Sequence, residues 1–184
     1  MQNRVKRTLH GLLGGWDLVV IEGMRATDIE RLFDDVISTA ILEIRASGMD
    51  LFTFAFYHDH ESAAVSICAD TKASSVRSVR GHNAFFLKRF AEAVARSDLR
   101  KAELFKANAG RSLSLGDFEM VNVARTDLGP IPVDADFYLQ MIRAVRAREG
   151  EIVELAGDVE SLLFCASSAK WEVGYVWPAA ISGL

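Results

Sequence analysis

The chain predicts an α+β fold in a single domain, residues 1–184, with a central, mostly antiparallel sheet and helices packed mainly on one face. Two stretches carry that reading. Leu51 to Asp70, LFTFAFYHDHESAAVSICAD, runs apolar, polar and apolar again, the pattern of strand, tight turn and strand. Just before it, Ile29, Leu32, Phe33, Val36, Ile37, Ala40, Ile41 and Ile44 recur at three- and four-residue steps, one apolar stripe on a helix from Asp28 to Ala46. Such a stripe must be buried against a sheet or another helix, and the hairpin follows it at once. With 184 residues, half of them apolar and a quarter charged, the chain is long enough to bury roughly 70% of its unfolded surface in one core. No internal repeat, low-complexity tract or linker divides it.

Composition also excludes some functions. The net charge is −4 with both signs mixed along the chain, which argues against a dedicated nucleic-acid binder. The two cysteines, Cys68 and Cys165, lie far apart in apolar surroundings, so they predict buried thiols rather than a disulfide framework or a CxxC metal pair. The opening MQNRVKR imitates a signal-peptide start, but the next residues are interrupted by His10, glycines and Asp17, and no small-residue cleavage site follows. No apolar run reaches the roughly 18 residues of a membrane span. A soluble, cytoplasmic protein without a membrane or cofactor role is expected.

Taken in order, Val5, Leu9, Leu12 and Leu13 predict a short helix over residues 2–13, ended by Gly14 and Gly15. Trp16 to Ile21, WDLVVI, reads as a short strand or as part of a helix-to-helix connection. Thr27-Asp28-Ile29-Glu30 fits a capping box for the amphipathic helix, and Ser47-Gly48 supplies its stop. In the hairpin, strands over 51–58 and 63–70 set Leu51, Thr53, Ala55 and Tyr57 on one face and Phe52, Phe54, Phe56 and His58 on the other. Lys72 to His82, rich in Ser and Arg, reads as a loop with room for one helical turn. Asn83 then caps a helix over 84–96 with Phe86, Phe90, Ala93 and Val94 inward.

A shorter helix is expected from Leu99 to Ala107, a turn-like stretch from Arg111 to Asp117, and a strand from Phe118 to Ala124. Thr126 to Asp134 holds Pro130 and Pro132 and reads as a loop. Asp134 or Asp136 caps a helix over 135–148 with Phe137, Met141, Ile142 and Val145 inward, and Gly150 stops it. Residues 151–167 admit two readings. Ile152, Leu155, Val159 and Leu162 have helical spacing, whereas 161–177 reads as a second hairpin with Trp171, Val173, Tyr175 and Trp177 on one strand face. The hairpin is favoured, because four large groups spaced by two suit a strand.

Three groups of residues are chemical candidates. His58, His60 and Glu61, beside Asp59, place two imidazoles and a carboxylate at the hairpin tip, where a transition metal would need at least one more ligand. A solvated turn explains the same residues. Arg77, Arg80 and Asn83, with Ser74, Ser75 and Ser78, lead into a predicted helix start that would suit a phosphate or carboxylate. A solvated loop with an ordinary cap explains them equally. Trp171, Tyr175 and Trp177 are candidates for a pocket or a partner surface, with core packing as the alternative. There is no GxSxG elbow and no glycine-rich phosphate cradle.

The order helix, FAFYHDHESAAVSICADT, helical insert and late strand-plus-helix resembles bacterial small α+β families of unknown function. In those families an aromatic strand runs through a charged turn into a strand ending near a Thr, here Phe54 to Thr71, and the similarity spans residues 27–125. Some such families are immunity-like, so the resemblance implies a non-enzymatic protein-binding role with a protein partner. It carries no catalytic residues across. A metal-dependent enzyme built on His58, His60 and Glu61, or an anion- or nucleotide-binding domain built on Arg77, Arg80 and Asn83, are the alternatives. A homo-oligomer stays open.

Overall fold

The computed structural model describes residues 26–179. The predicted helix over 2–13 and the predicted strand Trp16 to Ile21 lie outside them. The elements run α1 (Ala26–Ser47), β1 (Thr53–Asp59), β2 (Ala64–Asp70), α2 (Lys72–Ala95), α3 (Leu99–Glu103), β3 (Met120–Asp127), α4 (Ala135–Ala147), α5 (Glu149–Val153), β4 (Leu163–Ala166) and β5 (Tyr175–Pro178). The five strands form one sheet in the order β3-β2-β1-β4-β5. Every neighbouring pair is antiparallel except β1 with β4, which is parallel. This is the α+β architecture that the sequence predicts.

The core forms because α1 delivers the expected stripe: Phe33, Ile37, Ala40 and Ile44 are fully buried. They meet Phe54, Phe56, Val65, Ile67 and Phe164 of the sheet and Phe137, Met141 and Val145 of α4. Phe33 stands edge-on to Phe56 at 5.1 Å and to Phe137 at 5.4 Å. Each large side chain buried there contributes about 2 kcal/mol. Gly48, at φ +68°, takes the left-handed stop that Ser47-Gly48 predicts, its N–H donating to the Arg45 carbonyl at 3.2 Å. Asp134 caps α4 by accepting from the amides of Asp136 and Phe137. The opposite face of the sheet carries a smaller cluster, in which Ala55, Tyr57, Cys68 and Cys165 lie under Leu115 and Phe118.

Several local expectations are corrected. The helix α1 starts at Ala26, so Thr27 stands inside it rather than before it. The face alternation of the hairpin does not reach back to residues 51–52, because β1 begins only at Thr53. Leu51 therefore joins the main core with Phe54, and the Phe52 ring turns out beneath the Arg111 guanidinium at 3.6 Å. The third strand starts two residues later than predicted and runs to Asp127, leaving Phe118 to pack before it. Gly150 sits within the short α5 instead of ending α4. Residues 151–167 divide between the two readings: helix to Val153, then β4 pairing antiparallel with β5. The connection between those strands is longer than SSAK, so Trp171 and Val173 fall in the loop and not on a strand face.

The largest correction concerns α2. Residues 72–82, expected as a loop, are helical, and α2 runs unbroken for 24 residues. Thr71 is its N-cap, the hydroxyl accepting from the Ser74 amide at 3.1 Å. The serines tolerate the helix because their hydroxyls find partners outside it. Ser74 and Ser78 donate to the Asp117 carbonyl, each at 3.4 Å, and Ser75 accepts from the Ser112 amide at 2.9 Å. Gly81 costs the helix about 1 kcal/mol relative to alanine, too little to break it.

Candidate functional site

The predicted metal site at the hairpin tip is organised as structure. His58 is buried, with Nδ1 3.2 Å from the Tyr138 hydroxyl and its amide donating to Ser167 Oγ at 2.8 Å. Its ring lies 4.5 Å from the His60 ring and 5.3 Å from that of Phe137. Burial, and then the neighbouring His60, push its pKa below the ordinary 6.5. The structure thus brings His58 and His60 together, as their alternation predicts. Glu61 is exposed, and its amide is engaged by Asp59 Oδ1 at 3.0 Å, as is the Ser62 amide at 3.1 Å. Asp59 also pairs with Arg125 at 2.9 Å. Burial alone would raise the Asp59 pKa, but hydrogen bonds from Ser62, Arg125 and the Glu61 amide outweigh it and bring it to about 2. Among the described residues no group of three or more His, Cys, Asp and Glu side chains is placed to hold a metal ion.

The predicted anion site loses its helix start. Arg77, Arg80 and Asn83 all lie inside α2, where amides are spent on the helix itself. Arg77 pairs with Glu119 at 2.8 Å. Asn83 caps nothing, and instead exchanges hydrogen bonds with the backbone of Asn108: Nδ2 donates to its carbonyl at 2.8 Å and Oδ1 accepts from its amide at 2.7 Å. The aromatic set is divided. Trp177 stacks on Phe164 at 5.7 Å against the core, whereas Trp171 and Tyr175 are exposed. The two thiols are inert, since burial pushes Cys68 to about 11 and Cys165 to about 12.

What stands out lies further along the chain. The first half of α2 buries Ser74, Ser75 and Val79, but its second half buries only Ala93. That second half, with α3 folded back on it, forms an arm. Phe86 packs edge-on against Phe105 at 5.8 Å, and the Asn83–Asn108 pair closes the turn. Between them runs a groove of about 340 Å³ lined by Asn83, Phe86, Leu87, Phe90, Phe105 and Lys106. Along the arm Phe85, Leu87, Phe90, Val94, Leu99 and Leu104 are each between 41% and 73% exposed. Scattered exposed apolar groups need no explanation, but Leu87, Phe90 and Val94 share one side of α2 by their three- and four-residue spacing, with Leu87 and Phe90 lining the groove, and apolar patches mark interaction sites.

The arm is also electrically distinct. Residues 72–110 contain nine Lys and Arg against three Asp and Glu, a net +6 in a chain of −4, so the remainder carries −10. Where the arm returns to the sheet, Arg111 anchors it. Its guanidinium donates to the Phe52 carbonyl at 2.6 Å, to Thr53 Oγ1 at 2.9 Å and to the Ser161 carbonyl.

Sequence reasoning singled out neither the exposed face nor Arg111. Phe85 and Leu87 fall beside the expected Phe86–Phe90 stripe, and a helix apolar on two sides yet rich in Lys and Arg was the available signal. Comparison with family models, curated proteins and solved structures finds no match to the chain.

Proposed function

We propose that the protein is a non-enzymatic protein-binding module, of the kind its resemblance to immunity-like families implies, and that it binds through the α2–α3 arm. The observation that carries this reading is the apolar groove with exposed Leu87 and Phe90 on its wall, on a strongly basic segment. The partner is an acidic protein surface with an apolar centre. A Leu or Phe from an amphipathic helix fills the groove beside Phe86, Phe90 and Phe105, and a flanking Asp or Glu meets Lys106 on its wall. A concave groove suits an inserted side chain better than a flat lipid surface.

Fluorescence anisotropy with a synthetic amphipathic helix of Leu and Glu tests this. Binding that weakens with salt and is lost in Leu87→Asp and Phe90→Asp is the expected result. Equal affinity for a Leu and Lys helix, or binding only to anionic vesicles or single-stranded DNA, overturns the reading.

A further inference from the structure

We propose that the open edge of β3 is a self-pairing surface through which two copies of the chain join their sheets. This rests on a part of the molecule outside the arm and does not depend on the binding role proposed for it. Among the described residues the sheet has two edges, β3 and β5. The β5 edge is only four residues long and ends in Pro178, two features that blunt an edge. By contrast β3 has eight residues and no proline, and its register shift against β2, with Asn122 at φ +55°, falls before the regular stretch from Ala124 to Asp127.

The register fixes which backbone groups β3 offers. The Leu128 amide donates to the Ala63 carbonyl at 2.9 Å, and Val65 stands opposite Thr126 and Ile67 opposite Ala124. Antiparallel pairs alternate, so the 65/126 and 67/124 pairs are the hydrogen-bonded ones, and the N–H and C=O of Arg125 and Asp127 point away from β2 to the open edge. A two-fold axis that sets Thr126 opposite Thr126 of a second copy then sets Arg125 opposite its Asp127, and Asp127 opposite its Arg125. Each of those pairs exchanges both main-chain hydrogen bonds, and each places opposite charges directly across the ladder. Thr–Thr at the centre is itself a favourable cross-strand pair. The edge is thus complementary to its own copy. Arg125 keeps its bond to Asp59, because a guanidinium has donors for both carboxylates.

A groove of about 530 Å³ runs between β3 and α1, bounded by Arg31, Leu32, Asp35 and Val36 on the helix and by Ala124, Arg125 and Thr126 on the strand. With both signs of charge on its helical wall, α1 can meet α1 of the second copy with Arg31 against Asp35.

Sedimentation equilibrium of the full chain, with hydrogen exchange, tests the proposal. A dimer is expected, with the amides of Arg125 and Asp127 gaining protection as concentration rises. Asp127→Arg turns two attractive cross-strand pairs repulsive and weakens the dimer about tenfold. Arg125→Pro removes an N–H that the isolated sheet does not use, and yields a monomer with an unchanged circular-dichroism spectrum. Leu87→Asp, on the arm, leaves the dimer intact. A monomer at every concentration overturns the proposal, as does a dimer indifferent to Asp127→Arg or one broken by Leu87→Asp. Protection of both amides in a monomer also overturns it, since the chain itself then covers the edge.

Discussion

In the body of the molecule Phe33, Phe54, Phe56, Phe137 and Phe164 are fully buried, while in the arm Phe85 and Phe90 are more than two-fifths exposed. The residue type is the same in both places, so hydrophobicity does not separate them. What separates them is whether a second layer covers the element. Helix α1 lies across β2 and β3 and against α4, so its stripe is enclosed from several sides. The second half of α2 has α3 as its principal neighbour, and α3 is only five residues long. One part of the chain buries its apolar surface in folding, and the other leaves it exposed.

Truncating one phenylalanine in each region separates the two environments most strongly. Phe56→Ala empties a site enclosed by Phe33 and the sheet, and should cost about 3–5 kcal/mol in urea unfolding. Phe90→Ala, in the arm, should stay within about 0.5 kcal/mol of the parent. Equal losses would mean that the arm's surface is part of the folded core after all.

Next in size is the joint between the regions. Arg111→Ala leaves the Ser161 carbonyl without its side-chain donor, leaves the Phe52 carbonyl with the Leu163 amide alone, and strips the cation from the Phe52 ring. Loss of several charge-assisted hydrogen bonds should cost about 3 kcal/mol by denaturant titration. Arg111→Lys should recover only a part of it, since one ammonium cannot reproduce the planar fork.

These two regions were unequally legible in the sequence. The α1 stripe, the hairpin and the α4 cap announce themselves because periodicity, turn residues and capping residues all point the same way. The arm hid because its evidence conflicts. Ser74, Ser75, Ser78 and Gly81 argue for a loop locally, and only the partners supplied by Ser112 and Asp117, which are distant in sequence, make that stretch a good helix. Asn83 looked like a cap because Asn usually is one before an apolar run, but its amide instead closes the turn with Asn108. The role of Arg111 was invisible for the same reason. It depends on Phe52, Thr53 and Ser161 converging from two other segments. At the hairpin tip the proximity of His58 and His60 was readable from alternation, whereas Tyr138 beside His58 was not.

Protonation distinguishes the regions further, because the strongly shifted groups belong to the body. The His58 pKa lies below 6.5 in the folded state, through burial and then His60, so the unfolded chain binds protons more readily. Its contribution to stability is therefore present above 6.5 and is lost as the pH falls below it. Asp70 is opposite in sign. Burial holds its carboxyl above 3.8, so its contribution is present at low pH and is lost as the pH rises through the folded value. Asp70→Asn should accordingly raise Tm at pH 7 more than at pH 4, and His58→Phe should flatten the fall in Tm between pH 7.5 and 5.5. A pH profile unchanged by either variant would place both groups in ordinary solvent.

The smallest effect on stability should accompany the largest effect on binding. Leu87 is 69% exposed on α2 and borders the groove, so the folded chain gains little from its side chain. Replacing it with Asp exchanges one solvated group for another and should move Tm by no more than a degree or two, because surface substitutions stay within about 0.5 kcal/mol. The same substitution places a carboxylate against the apolar centre of an acidic partner, where burial without a counter-charge is costly and neighbouring acids repel it. Binding of the Leu and Glu helix should then fall below detection while unfolding curves superimpose. A Leu87→Asp variant that binds normally would remove the groove from the interface. One that unfolds with Phe56→Ala would show that the arm's apolar surface serves the fold.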